Sequence, residues 1–340
     1  MADVTQAFDS APAELPLRWA LLGAARIADF AIAPALAALG SRAHVLGCRD
    51  ASRGATFAQR HGIAVVTGYA EAVARDDVDA VYIALPNGLH EHWTLAALEA
   101  GKHVLCEKPL ALSAASARRI GAAAMAHGGV VMEALMLAFH PKVQALQERI
   151  ASADFGPVQL LAGSFTSPLE GSQDIRHSST FGGGAMADLG IYPLWLMRHL
   201  TGSEPLLRHV SSRLGGDAAS PVDTLTHAVL EFPATSGLPV IAHLDCGFGA
   251  AYGNRFTASS QWHRAELEPA FYSRDEVVRL EVDETRVEWP PFDPYRAMLA
   301  HFTRAARGLE PAKIGIEDSI RQAAALEAVL QAAGVAPARR

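Results

Sequence analysis

From residue 17 to residue 133, short apolar runs and helix-period segments alternate without a break, and no other feature of this chain narrows its fold as far. Strands are expected over 17–23, 43–48, 64–67, 78–85, 103–106 and 129–133. Helices are expected between them, over 26–39 (with Pro34 inside), 51–60, 89–100 and 113–127. Gly101 suits the position after a helix end, and Ser113 the N-cap of the next helix. Strand, helix and strand in succession demand parallel pairs with right-handed crossovers. This part therefore predicts a doubly wound α/β domain over 17–135.

The pattern changes after Glu133. Strand-like segments at 157–166, 206–214, 225–232, 239–248, 255–262 and 277–282 mostly follow one another directly, with helices at 141–150, from after the glycines 182–184 to about 200, and at 295–307 and 316–333. Strands in succession pair antiparallel, so a second α+β domain with a large, mostly antiparallel sheet is expected over 136–340. Two domains also suit a chain of 340 residues, 50% hydrophobic and 19% charged. Residues 1–16 read as a flexible tail, with Asp3, Asp9 and Glu14 where a secretory signal would be cationic and then apolar.

Charge and side-chain chemistry exclude several classes. A net charge of -7 with dispersed Arg argues against a nucleic-acid partner. No apolar run approaches the roughly 20 residues of a membrane span. Fourteen His are scattered, and His90 with His92 lack a third ligand at zinc-type spacing, so no metal is expected. Cys48, Cys106 and Cys246 are far apart and odd in number, which suits a reducing cytoplasm. Neither a Gly-x-Ser-x-Gly elbow nor a P-loop is present.

The first expected strand ends in Gly23-Ala24-Ala25-Arg26-Ile27-Ala28, a dinucleotide fingerprint with Ala25 at the second glycine position. The tight turn and the helix N-terminus beyond it make Gly23, Ala25, Arg26 and Ile27 candidate pyrophosphate ligands. The second strand runs into Cys48-Arg49-Asp50, with Cys48 where an NAD-specific enzyme places a carboxylate. Arg49 and Arg53 suit a 2′-phosphate, so NADP is preferred over NAD. Two other readings stand beside it: Asp50 as N-cap with Arg49 solvated, or Asp50 itself on the ribose. Ligands of an open parallel sheet bind beyond its carboxyl ends. The fourth strand exits there through Leu85-Pro86-Asn87-Gly88-Leu89-His90, and the fifth through Cys106-Glu107-Lys108-Pro109. Leu85, Pro86, Asn87, His90, Glu107 and Lys108 thus join the cofactor candidates.

A third constellation is Gly182-Gly183-Gly184-Ala185-Met186-Ala187-Asp188-Leu189-Gly190-Ile191-Tyr192-Pro193. Asp188 and Tyr192 are four apart and share one helix face. The alternative is a buried Tyr bonded to its own helix neighbour.

Taken in order, these segments resemble the glucose–fructose oxidoreductase/inositol dehydrogenase (Gfo/Idh/MocA) family. The resemblance rests on Gly-x-x-Arg-Ile-Ala, Pro-Asn-x-x-His, Glu-Lys-Pro and Gly-Gly-Gly-x-x-x-Asp-x-Gly-x-Tyr, and covers nearly the whole chain. Tyr192, Met132-Glu133-Ala134 and Phe139-His140-Pro141 are similar to the dihydrodiol and aldose (xylose-type) dehydrogenase branch. Leu137-Ala138 stands where relatives often show an aromatic residue and an Arg. The resemblance implies a nicotinamide-dependent oxidoreductase acting on a sugar, polyol or cyclic alcohol, with Lys108, Asp188 and Tyr192 lining the substrate site between the domains. It also implies a homodimer or higher oligomer paired through the large sheet. There Val240, Ala242, Leu244, Cys246 and Phe248 make one face, and His243 and Asp245 the other.

Hydride removal from a carbinol carbon requires a base for the hydroxyl proton. Free Tyr and Lys titrate near ~10, and a neighbouring ammonium favours a phenolate. Tyr192 is therefore the favoured acid/base, with Lys108 supporting it and Asp188 orienting; Lys108, its pKa depressed by the nicotinamide charge, is the alternative carrier of the proton. Two alternatives remain: a sugar–sugar oxidoreductase with tightly bound cofactor, and a non-catalytic dinucleotide-sensing regulator on the same fold.

Overall fold

In the computed structural model the chain is described over residues 16–171, 174–217, 220–233 and 237–335, so residues 1–15 of the expected tail lie outside the described residues. The chain forms two compact units. One takes the chain through Ala111, then Ala115–Phe139 and Asp293–Ile320; the other takes Leu112–Ala114, His140–Phe292 and the chain from Arg321.

The first unit is built on β1 (Trp19–Leu22), β2 (Ala43–Gly47), β3 (Val65–Thr67), β4 (Ala80–Ile83), β5 (His103–Glu107) and β6 (Val131–Ala134). They form one parallel sheet in the order β3-β2-β1-β4-β5-β6. β1 and β4 are buried at every position, as strands covered on both faces must be. The order reverses between β1 and β4, the switch point outside which such sheets bind ligands.

The helix expected over 26–39 is interrupted. A π-helical turn, Ala28–Ile32, precedes the α-helix Ala33–Ala38, and the Ala33 N–H donates to the Ala28 carbonyl. Pro34 has no N–H to offer Phe30, and its ring would strike that carbonyl in an α-helix; the wider turn accommodates both. A short helix, Tyr69–Val73, was not expected; the Gly68 N–H donates to Glu71 Oε2 at its start. The segment Asp293–Ile320 differs from the expected division at 136, because it belongs to the first unit. Its helix Pro294–Ala306 buries Met298, Leu299 and Phe302, and the Phe302 ring lies 5.3 Å from Trp19 of β1. Periodicity marks a helix without saying which core its apolar stripe covers.

The second unit holds β7 (Leu160–Thr166), β8 (Leu206–Asp217), β9 (Ser220–Phe232), β10 (Val240–Gly247), β11 (Gly253–Ser259), β12 (Arg264–Glu268), β13 (Val278–Val282) and β14 (Thr285–Trp289). They make one eight-stranded sheet in the order β14-β13-β12-β11-β7-β10-β9-β8. Every pair is antiparallel except β7 with β10. The mostly antiparallel expectation holds, although β12 and β14 were not foreseen. β12 offers only Ala265 and Leu267 inward, and β14 is an almost wholly exposed edge. In β10, Val240, Ala242, Leu244 and Cys246 are buried within the unit while Ile241, His243 and Asp245 are half-exposed. On that open face the Asp245 carboxylate lies 2.8 Å from His227 Nδ1. Among the described residues no helix is long and apolar enough to cross a membrane.

Candidate active site

In the first unit, four strand exits meet the requirements of a dinucleotide. Gly23 turns with φ of 100°, and its N–H donates to the Gly47 carbonyl at the end of β2 over 2.9 Å. A Cβ at Gly23 would stand 2.8 Å from the Ala84 carbonyl oxygen, so the turn after β1 lies directly against the exit of β4. Only glycine supplies both the dihedral and the clearance. The helical turn that opens beyond Ile27 has no side-chain cap of its own. Helix N-termini present free N–H groups of this kind to phosphates.

At the β2 exit Arg53 Nε donates to the Ala24 carbonyl over 3.1 Å, which lays a guanidinium across the glycine turn. Asp50 caps the following helix: its Oδ1 accepts from the Arg53 N–H at 3.0 Å and from Ser52 Oγ at 2.9 Å. Those bonds, the Arg53 N–H first, hold its carboxyl below the usual range.

The β4 and β5 exits are joined by His90, which is wholly buried. Its Nε2 lies 2.8 Å from the Leu85 carbonyl and its Nδ1 2.8 Å from the Pro109 carbonyl. Burial pushes its pKa down, against the pull of the two carbonyls. Glu107 is held from within the sheet, because its Oε1 accepts the hydroxyl of buried Tyr82 on β4 and its Oε2 the Lys108 N–H at 3.3 Å. Desolvation first, and the Glu107 charge second, push the Tyr82 phenol well up. Glu107 thus fixes the backbone at Lys108. The Glu133 carboxylate does the same two residues on, accepting the Leu110 N–H at 3.2 Å.

In the second unit, the glycine run carries the other candidates. The helix after it starts with a π-turn, Met186–Gly190, and continues as Ile191–Thr201. Pro193 again explains the wide turn, since it has no N–H for Leu189. Tyr192 is 8% exposed, with the Phe165 ring edge-on at 5.5 Å. Asp188 Oδ2 accepts from an Arg176 guanidinium nitrogen at 3.3 Å, and the same guanidinium holds Asp174 with two bonds of 2.9 Å. The Asp174 bonds first, and then the Asp188 charge, push Arg176 up, so it stays a cation. Backbone bonds from Gly183 to the Ser178 carbonyl and from Gly184 to the Arg176 carbonyl, both 2.9 Å, fasten this loop to the glycines. Arg176 escaped the sequence reading because it lies in a loop without periodicity; the Asp174-x-Arg176 spacing was its one signal.

Among the described residues no group of three His, Cys, Asp or Glu could hold a metal ion. Lys108 belongs to the first unit, Asp188 and Tyr192 to the second.

A parallel sheet in this strand order, with its glycine turn, basic β2 exit and accompanying α+β unit, defines a dinucleotide-binding oxidoreductase. Residues 17–135 match the model of the oxidoreductase family with an NAD-binding Rossmann fold, and residues 143–266 that of the GFO/IDH/MocA C-terminal domain. The chain belongs to the GFO/IDH/MocA oxidoreductase family. It is 35% identical, over 92% of its length and 95% of the relative's, to a dTDP-3,4-didehydro-2,6-dideoxy-alpha-D-glucose 3-reductase of Streptomyces violaceoruber. It is 31% identical to a D-xylose 1-dehydrogenase (NADP(+)) of Haloferax volcanii, over 93% of this chain and 97% of that one. Among solved structures, a 3-ketoreductase of Actinomadura kijaniata, a Tyr variant in complex with TDP-benzene and NADP, superposes with a TM-score of 0.85 at 31% identity, covering 93% of this chain and 98% of that one.

Proposed function

We propose that this protein is an NADP-preferring oxidoreductase that moves a hydride to or from a carbinol or carbonyl carbon of a sugar, polyol or cyclic alcohol, with Lys108, Asp188 and Tyr192 handling substrate and proton. One observation carries the assignment of residues. The Actinomadura reductase has been solved with a tyrosine replaced by phenylalanine and with a lysine replaced by alanine or glutamate, and those two positions lie as far apart in that chain as Tyr192 and Lys108 do here.

When bound, the nicotinamide supplies the hydride acceptor or donor. The residues that would hold the dinucleotide are Gly23, Ala25, Arg26 and Ile27 at the pyrophosphate, Arg49 and Arg53 at the 2′-phosphate, and Leu85, Pro86, Asn87 and His90 with Glu107 and Lys108 at the β4 and β5 exits. The chain's own chemistry is the proton. Tyr192 takes it from the substrate hydroxyl in oxidation and returns it in reduction. Lys108, as an ammonium, favours the phenolate, and Asp188 orients through hydrogen bonds while Arg176 keeps it in place.

The same reading makes the protein a homodimer joined through the open face of the eight-stranded sheet, around His227, His243 and Asp245. The apolar face is already consumed inside the unit. Sedimentation that finds only monomer at micromolar concentration excludes the dimer. A reducing, cytoplasmic setting is supported by Cys48, Cys106 and Cys246, all free thiols.

The test is a turnover screen of aldoses, inositols, aromatic dihydrodiols and nucleotide-linked keto sugars, with NAD and NADP. Turnover with one of these classes is expected. Dinucleotide binding without turnover of any would favour the sensor. Absorbance of the purified protein in the reduced-nicotinamide band would favour the sugar–sugar enzyme with resident cofactor.

A further inference from the structure

The helix that carries Asp188 and Tyr192 begins without a cap of its own. Gly184 and the N-cap residue Ala185 have no side-chain acceptor, so the N-cap makes no side-chain bond to the first turn of Met186–Gly190. A helix start leaves four N–H groups without intrahelical partners, and leaving them buried and unpaired is costly. Met186 is fully buried. Its N–H donates to Asp223 Oδ2 over 2.8 Å, from a residue 37 positions further along the chain.

Asp223 reaches that place through a fault in β9. Thr226, Ala228, Leu230 and Phe232 face inward in strict alternation, which would send Asp223 outward with Leu225 and His227. Pairing with β8 slips by one residue here: Arg213 faces Leu225 and Leu214 faces Asp223, so Thr224 is extra. Such a bulge re-aims the next side chain, and Asp223 is fully buried as a result. Thr226 Oγ1 donates to the same Oδ2 over 2.8 Å, and Ser212 Oγ stands 2.9 Å from Thr226 Oγ1. The other oxygen, Oδ1, has no hydrogen-bond donor among the described residues and abuts Gly184, where a Cβ would overlap it. Gly184 has φ of 117°, so it is glycine for two reasons at once. Burial pushes the Asp223 carboxyl up, against the Thr226 and Met186 bonds.

We infer that Asp223 is a positioning residue for the reaction: a cap supplied from the sheet that sets the first turn of the helix bearing Asp188 and Tyr192. The inference rests on the roles proposed above for those two residues. A carboxylate at a helix N-terminus also satisfies the dipole, but here its place matters more than its charge. A first turn free to unwind lets Asp188 drift, and small misplacements of reacting groups cost large factors in rate.

The test uses the full chain. Asp223→Ala is expected to lower kcat about tenfold or more, the size of one lost cap expressed in rate, with NADP affinity unchanged by fluorescence titration. Asp223→Asn keeps an acceptor for the Met186 N–H but puts a buried NH2 against Gly184, so its kcat is expected between parent and Asp223→Ala. The deciding measurement is a double-mutant cycle with Tyr192→Phe. If Asp223 acts through the helix, its substitution costs far less in the Tyr192→Phe background than in the parent. Losses that multiply in full, or an unchanged kcat in a folded Asp223 variant, overturn the inference. If Asp223→Ala does not fold, the same cycle is run with Asp223→Asn, where a smaller loss in the Tyr192→Phe background supports the inference and a fully multiplied loss overturns it. Should Tyr192→Phe alone leave turnover intact, the role proposed for Tyr192 falls, and the cycle shows that separately.

Discussion

Arg53 donates its Nε to the Ala24 carbonyl over 3.1 Å, so a side chain from the helix after β2 is tied to the turn after β1. That bond uses one edge of the guanidinium. On the neighbouring Asp50, Oδ1 accepts from both the Arg53 N–H and Ser52 Oγ, which makes it the cap of the following helix. Cap and cation thus come from one short segment, and Arg53 is the side chain of it that bonds the glycine turn. A dianionic 2′-phosphate matches such donors. Arg53→Ala and Arg49→Ala are each expected to raise the Michaelis constant for NADP about tenfold, the worth of one charged hydrogen bond. The constant for NAD should barely change. Steady-state kinetics with both cofactors decides it; equal or better efficiency with NAD in the parent protein sinks the assignment.

Lys108→Ala and Tyr192→Phe are each expected to reduce turnover by at least about a hundredfold, as loss of a positioned acid or base does. NADP should still bind, because the glycine turn and β2 exit are untouched. Asp188→Asn should cost less, since the amide keeps an oxygen for Arg176 and changes alignment more than proton inventory. Near-full turnover in either of the first two variants, with NADP bound by titration, would remove that residue from the mechanism.

Most of this site was legible because its residues sit where periodicity breaks. Gly23, Asn87, Lys108 and the 182–184 glycines all follow a strand or precede a helix, and those junctions were plain in the alternation of apolar runs. The relatives extend that reading without narrowing the substrate, since a xylose dehydrogenase and a sugar 3-reductase match over similar lengths. What the sequence hid has one cause: tertiary partners of polar groups leave no periodic trace. Tyr82 looked like one more β-former until its hydroxyl met Glu107. Asp223 lay ahead of the strand expected over 225–232, and only the pairing slip opposite Leu214 turns it inward. The return of Pro294–Ala306 to the first unit was hidden in the same way, as an amphipathic helix fits any core.

Lys142 gives a pH test of the second unit. It lies in the first turn of the helix Pro141–Ala151, fully buried, and its Nζ donates to the Pro269 carbonyl at 3.0 Å and to Ser273 Oγ at 2.7 Å. Burial pushes its pKa well below that of a free lysine. In the unfolded chain the amine holds its proton up to about 10.4. Between the lowered folded value and that point the unfolded state binds more protons, so stability rises with pH across the window, by up to about 1.4 kcal/mol per pH unit. Lys142→Met keeps the volume and removes the titration. It also leaves the Pro269 carbonyl and the buried Ser273 hydroxyl without their donor, a loss of about 1–3 kcal/mol. The stability of the parent relative to Lys142→Met should therefore increase as pH rises from about 7 to about 9, with other groups cancelling in the difference. Denaturant titrations of both proteins across that range make the comparison. A difference that stays flat or shrinks with pH would mean that Lys142 keeps its proton in the folded protein.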